Sequence, residues 1–141
     1  MAAGDANGYP DLIIRDRIAN ATELISVGAT FGIWEPADIQ YAGKMSADGR
    51  FVVFTSLAGG LIPGMAAPMA NNLVQVYVRD RLLAQTRLVS VDGAGEPING
   101  TAIGPAFSDD GRYVAFLSDA PNIAGGENPP RTYDVDLMTG A

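Results

Sequence analysis

Apolar residues along this chain fall in short runs, and polar turn residues separate them. Phe51-Val52-Val53-Phe54 and Tyr113-Val114-Ala115-Phe116 each follow an Asp-Gly-Arg triplet. Aromatic and β-branched runs of this length, entered from Asp-Gly, predict strands over Arg50–Ser56 and Arg112–Ser118. The Asp-Gly pairs supply the turns, because Gly takes a positive φ without steric cost. Weaker strands are expected before each turn, around Ile39–Met45 and Thr101–Phe107. Further strands are expected at Val76-Tyr77-Val78, ending at Arg79-Asp80, and at Arg87–Val91.

The pattern repeats. Ser46 to Ser56 (SADGRFVVFTS) matches Ser108 to Ser118 (SDDGRYVAFLS) at seven of eleven positions. Independently, Leu12 to Val27 (LIIRDRIANATELISV) matches Val76 to Val91 (VYVRDRLLAQTRLVSV) at seven of sixteen. A degraded third copy of the second motif reads Tyr133-Asp134-Val135-Asp136-Leu137. Two motifs interleaved at one period define a unit of four strands, and such units predict an all-β chain of four-stranded antiparallel propeller blades. Residues 1–30 then hold the third and fourth strands of a first blade. Residues 31–93 hold a complete blade, and 94–141 an incomplete last one. The whole, 1–141, is a single partial β-propeller of about two blade equivalents. A closed propeller needs at least four blades. The expectation is therefore either a fragment of a longer chain or a homo-oligomeric ring. In the ring, the C-terminal first and second strands of one protomer pair with the N-terminal third and fourth strands of the next, completing the propeller.

Composition narrows the function. The 141 residues contain no Cys and no His. A Ser/His/Asp or Cys/His nucleophile system cannot be assembled within the chain, nor can ordinary zinc sites, Fe–S clusters or disulfides. Ser26, Ser46, Ser90 and Ser108 thus lack a conventional base. The net charge of −7 argues against nucleic acid as a partner, since no basic field meets phosphate. No apolar run reaches membrane-spanning length, and Met1 to Asp5 lacks the features of a secretory signal.

The motif S-x-D-G-R-[FY]-V-x-F, followed by V-Y-V-R-D, resembles the TolB-like, WD40-like bacterial β-propeller repeats (the PD40 group). Ser46–Phe54, Ser108–Phe116, Val76–Asp80 and Ile14–Asp16 carry the resemblance. It implies a propeller fold and a periplasmic or extracellular setting. It also implies a role among exported scaffold and binding proteins or propellers attached to peptidases. Relatives often carry a G-D-x-N-G loop, which Gly4-Asp5-Ala6-Asn7-Gly8 matches; the later copies depart from it.

The repeated polar residues read as structural. Asp48 and Asp110, next to Gly49 and Gly111, are expected to bond their own turns beside Ser46 and Ser108. Arg50 and Arg112 are expected in ion pairs or stacking contacts, with Asp80 or Asp16 as partners. Arg15 and Arg79 precede those aspartates. A residue that every blade needs recurs in every blade, whereas an active site normally occurs once. Asp5, Asn7 and Asp11 form D-x-N-G-x-x-D, whose alternating oxygen ligands could wrap Ca²⁺, the one cofactor in view. The competing reading is a tight polar turn. Asp134 and Asp136 with Glu127 form a weaker carboxylate cluster. The long loop from Leu57 to Leu73, with Leu61, Ile62, Met65 and Met69, is a candidate partner-binding surface; against that, Leu61 aligns with Ile123, and the competing reading has that position plug its own blade. Trp34 reads as a packing residue.

These features favour a non-catalytic scaffold that binds a protein or other ligand. A second reading is the propeller portion of a larger exported peptidase or glycosidase, with its catalytic residues outside this chain. A third is an oligomeric lectin-like or Ca²⁺-binding module that takes a carbohydrate ligand.

Overall fold

The structure is a computed structural model that describes residues 11–27, 43–57, 59–62, 73–123 and 131–140. Nine strands appear among these residues: β1 (Ile13–Asp16), β2 (Ala21–Leu24), β3 (Lys44–Met45), β4 (Phe51–Ser56), β5 (Gln75–Asp80), β6 (Gln85–Leu88), β7 (Ala102–Phe107), β8 (Tyr113–Ser118) and β9 (Arg131–Asp136). A 3-10 turn spans Gly59–Leu61. The strands form three antiparallel sheets, ordered β1-β2, β3-β4-β5-β6 and β7-β8-β9. The middle sheet is the four-stranded unit that the repeat predicts.

The third copy is less degraded than its sequence suggests. β9 pairs with β8 along its whole length, from Tyr113 opposite Asp136 to Ser118 opposite Arg131. This corrects the expected ring closure. The edge of β8 that a neighbouring copy's β1 would need is already filled by β9.

β4 shows why the central strands read as continuous apolar runs. Val52 and Phe54 face one side, Val53 and Thr55 the other, and all four are buried. Ile25, Val52, Phe54, Leu61 and Tyr77 form the core between the first and second sheets. Val53, Val76 and Val78 of the second sheet meet Val114 and Phe116 of the third in another core. Each such side chain contributes roughly 1.5–3 kcal/mol by leaving water. In β7 the register shifts between Ile103 and Ala106, where Gly104 has φ +62° and Pro105 has no N–H to donate.

Neighbouring sheets are also tied through polar contacts. Arg81, just after β5, donates to Glu23 of β2 at 2.7 and 2.8 Å. Gln75 donates to the carbonyls of Ile98 and Gly100, which lead into the third sheet. Gly100 has no room for a side chain, because an added Cβ would lie 2.5 Å from the Ala120 backbone.

Candidate functional site

The repeated polar motif closes on itself. In the turn before β4, the Ser46 hydroxyl donates to Asp48 Oδ1 at 2.6 Å and accepts the Phe51 N–H at 2.9 Å. Asp48 Oδ1 also accepts the Arg50 N–H at 3.0 Å. Before β8 the same bonds recur at the same lengths. Ser108 donates to Asp110 at 2.6 Å, Tyr113 N–H to Ser108 at 2.9 Å and Arg112 N–H to Asp110 at 3.0 Å. Gly49 and Gly111 hold φ of +75° and +69°, a left-handed conformation that a Cβ disfavours. Hydrogen bonds from the serines, then from the arginine N–H groups, hold both carboxyls below the usual carboxylate range.

The arginines that follow bind across the sheet. Arg50 Nη2 donates to Asp80 Oδ2 at 2.7 Å and Nε reaches both carboxylate oxygens at 3.2 Å. Arg112 donates to Asp136 Oδ2 through Nε at 3.0 Å and Nη2 at 2.6 Å. Asp80 is thus the partner of Arg50, as expected. Arg112 takes Asp136 instead of Asp80 or Asp16, because β9 brings that residue opposite Tyr113. Each guanidinium also lies over the next aromatic ring, Arg50 at 4.7 Å from the Phe51 centroid and Arg112 at 5.1 Å from that of Tyr113. The arginine hydrogen bonds hold Asp80 and Asp136 low.

Asp80 and Asp136, together with Asp16, also cap the turn leaving the third strand. Asp16 Oδ1 accepts the N–H groups of Ile18 and Ala19, both at 2.8 Å. Asp80 Oδ1 accepts those of Leu82 and Leu83, and Asp136 Oδ1 that of Met138. These are Asx-type turns built from one carboxylate each. Four residues after each aspartate the backbone turns left-handed, at Asn20, Ala84 and Gly140. Arg15 and Arg79 make equivalent bonds to Thr22 and Thr86, and Arg15 also donates to Asn20.

The equivalence of the three turns exposes a feature absent from the sequence reading. Ile18, Leu82 and Met138 each stand two residues after the capping aspartate, and their exposures are 100%, 75% and 75%. Large apolar side chains therefore project into solvent at one repeated position in all three sheets. The alignment of Ile18 with Leu82 was the available signal; Met138 sits in a copy too altered to align by identity. Of the three tips Met138 borders a groove of about 270 Å³, lined also by Arg50, Asp80, Leu83, Arg87 and Leu137. Arg87 donates across it to the Leu137 carbonyl at 2.7 Å.

Other candidates fall elsewhere. Leu61 is buried in the core with Ile62 packed against it, so these two belong to their own sheet rather than to a partner-binding loop. The aligned position Ile123 is buried too. Met65 and Met69 lie outside the described residues, as do Asp5, Asn7, Trp34 and Glu127. Asp11 Oδ1 accepts the Ser26 hydroxyl at 2.5 Å, repeating the bond of Gln75 with Ser90. Among the described residues no three acidic side chains cluster as a metal would require. Asp134 is exposed, while Asp136 is engaged by Arg112.

No family model matches the chain, and no curated protein matches it. Solved structures do. TolB from Acinetobacter baumannii is similar over 93% of this chain and 25% of its own, with 21% identity and a TM-score of 0.50. The tricorn protease is similar over 93% of this chain and 12% of its own, with 14% identity and a TM-score of 0.58. The chain thus spans about a quarter and about an eighth of those proteins. The shared feature is the fold, an incomplete TolB-like β-propeller. No helix among the described residues is long and apolar enough to cross a membrane.

Proposed function

We propose, from the premise of a TolB-like β-propeller fold, that this chain is a non-catalytic scaffold in an exported setting, and that its third-to-fourth-strand turns bind protein. The observation that carries this reading is the row of exposed apolar tips, Ile18, Leu82 and Met138. Among the described residues these side chains stay largely outside both cores, and apolar groups repeated at one exposed position favour a contact surface. None of the three is aromatic, so the row lacks the flat rings that stack on sugars. That favours a protein over a carbohydrate.

The absence of catalysis is supported by what the motif residues already do. Asp48, Asp80, Asp110 and Asp136 are each spent on bonds within the sheet and held ionised. A general acid or base needs a pKa near the working pH and a free path to substrate. The tricorn protease similarity is equally compatible with a propeller that accompanies an enzyme encoded elsewhere.

The test is a random peptide library displayed on phage and panned on the immobilised chain, beside chromogenic ester, peptide and glycoside substrates. The reading expects enriched peptides that bind at least tenfold more weakly to Ile18→Ser/Leu82→Ser/Met138→Ser. Substrate turnover abolished by one substitution in the chain would overturn it.

A further inference from the structure

Arg15 and Arg79 hold the same place in the first and second sheets, but their surroundings differ. Arg15 Nη1 donates to the Thr22 hydroxyl at 2.8 Å, and its Nη2 donates to the Asn20 side-chain carbonyl. Arg79 Nη1 donates to the Thr86 hydroxyl at 3.2 Å, the same contact one repeat later. The second acceptor is missing there, because Ala84 stands where the first sheet has Asn20. Both positions are left-handed, at φ 54° and 53°. The turn is kept while its side-chain carbonyl is lost.

The loss falls on the more enclosed of the two arginines. Arg15 is exposed, so water completes its bonding. Arg79 is half-buried, and its Nε is shut off from solvent with no hydrogen-bond partner. The ion pairs among the described residues engage Arg50, Arg81 and Arg112, and none engages Arg79. A cationic donor left unpaired away from water is destabilising, and an anion that reaches it relieves that. Arg79 borders a groove of about 460 Å³ between the second sheet and Val27, which follows β2. Val27, 44% exposed, Leu61 of the 3-10 turn and Ala84 give this groove apolar walls.

We infer that this groove binds an aliphatic carboxylate. The carboxylate meets the Arg79 guanidinium, whose planar fork of donors matches carboxylate oxygens in shape. The branched aliphatic part rests against Val27, Leu61 and Ala84 and leaves water there. The combination is selective. Inorganic phosphate brings no apolar surface, and a neutral alkyl group leaves Arg79 unpaired. Two sources carry the required chemistry, the C-terminal leucine or valine of a peptide and a free branched-chain acid. The inference goes beyond the scaffold reading, because none of the turn tips lines this groove.

The probes are acetyl-Ala-Ala-Leu with a free carboxylate, the same peptide as its C-terminal amide, isovalerate and inorganic phosphate. Each is titrated into the whole chain by calorimetry, with unfolding midpoints measured in parallel for every variant. The free acid is expected to bind about tenfold more tightly than the amide, since a charged hydrogen bond is lost in the amide. Arg79→Met is expected to remove that difference. Ala84→Asn restores the acceptor that Asn20 supplies in the first sheet, in a left-handed position that Asn tolerates. It is expected to keep the midpoint and to weaken the free acid about tenfold, because Arg79 then has a partner within the chain. Ala84→Gly, which supplies no acceptor, is expected to bind like the wild type. Equal affinity of acid and amide, full affinity in folded Arg79→Met or Ala84→Asn, or phosphate binding more tightly than both carboxylates would each overturn the inference. Isovalerate binding as tightly as the peptide assigns the free acid as the source, and tighter peptide binding assigns a chain terminus. The triple serine variant of the turn tips should bind the acid normally. Failure of the acid to bind removes this groove alone, whereas failure of the panned peptides removes the scaffold reading.

Discussion

Arg81 reaches back 58 residues to Glu23 and holds its carboxylate at 2.7 Å, bridging the turn after β5 of the second sheet to β2 of the first. At the next junction the counterpart of Glu23 is Arg87, and it bonds the Leu137 carbonyl instead. The junction keeps its geometry while the chemistry changes, because a guanidinium can bond a carboxylate or a carbonyl equally well in shape. Both Arg81 and Glu23 are partly solvated, so the pair is worth about 0.5 kcal/mol. Glu23→Gln is expected to lower the unfolding midpoint slightly at low salt and hardly at all in high salt. The exchange Glu23→Arg with Arg81→Glu is expected to recover only part of the loss, because Arg81 also donates to the Gly49 carbonyl and a carboxylate in its place cannot. Denaturant titrations of the three variants at two salt concentrations check this.

Acid should loosen the sheets in a defined direction. Asp80, Asp136, Asp48 and Asp110 all have native pKa values below the ordinary 3.8. A lowered carboxylate pKa means the unfolded chain binds protons first. The stabilisation is fully present above that ordinary value and disappears as pH falls through the native values. Thermal midpoints are therefore expected to be flat from pH 7 to pH 5 and to drop below about pH 4. Asp80→Ala, which loses the Arg50 pair and the turn bonds together, is expected to cost about 2 kcal/mol at pH 7. It is expected to cost far less at the acid end. Melting curves across pH for the two proteins test the sign.

The left-handed turn positions predict opposite responses to one methyl group. Gly49→Ala and Gly111→Ala force a Cβ into positive φ and are expected to destabilise by about 1–2 kcal/mol. An added Cβ at Gly111 also comes within 3.3 Å of Ser46. Ala84 already occupies such a position, at φ +53°. Ala84→Gly is expected to stabilise by about 0.5–1 kcal/mol. Urea unfolding of the three variants reads out the two signs.

Burial separates two leucines that both lie outside the strands. Leu61 is 3% exposed and Leu82 is 75% exposed. Leu61→Ala is expected to cost about 2–5 kcal/mol through the cavity it leaves. Leu82→Ser is expected to change stability by less than about 0.5 kcal/mol. Unfolding free energies of the two variants decide whether the tips are free of structural duty.

Much of the fold was legible because blade residues recur. The S-x-D-G-R turns, the strands after them and the Arg50–Asp80 pair all followed from repetition and turn chemistry. The partner of Arg112 did not, because β9 keeps only Tyr133 and Asp136 of the Val-Tyr-Val-Arg-Asp pattern. Leu61 could be read both as part of a binding loop and, through its alignment with Ile123, as a plug of its own blade; its burial beside the 3-10 turn fits the second. The turn tips escaped notice because an apolar residue beside a strand reads as core. Only three superposable Asp-capped turns reveal that Ile18, Leu82 and Met138 occupy one exposed position. Contacts such as Glu23–Arg81 depend on how sheets stack, and no local pattern encodes that.

The most direct test of the scaffold account is calorimetric. A peptide enriched by panning is titrated into the wild-type chain and into Ile18→Ser/Leu82→Ser/Met138→Ser, with unfolding midpoints measured in parallel. The account predicts equal midpoints and an affinity at least tenfold lower for the triple variant. Equal affinities with equal midpoints would contradict it, and would show that the exposed tips take no part in binding.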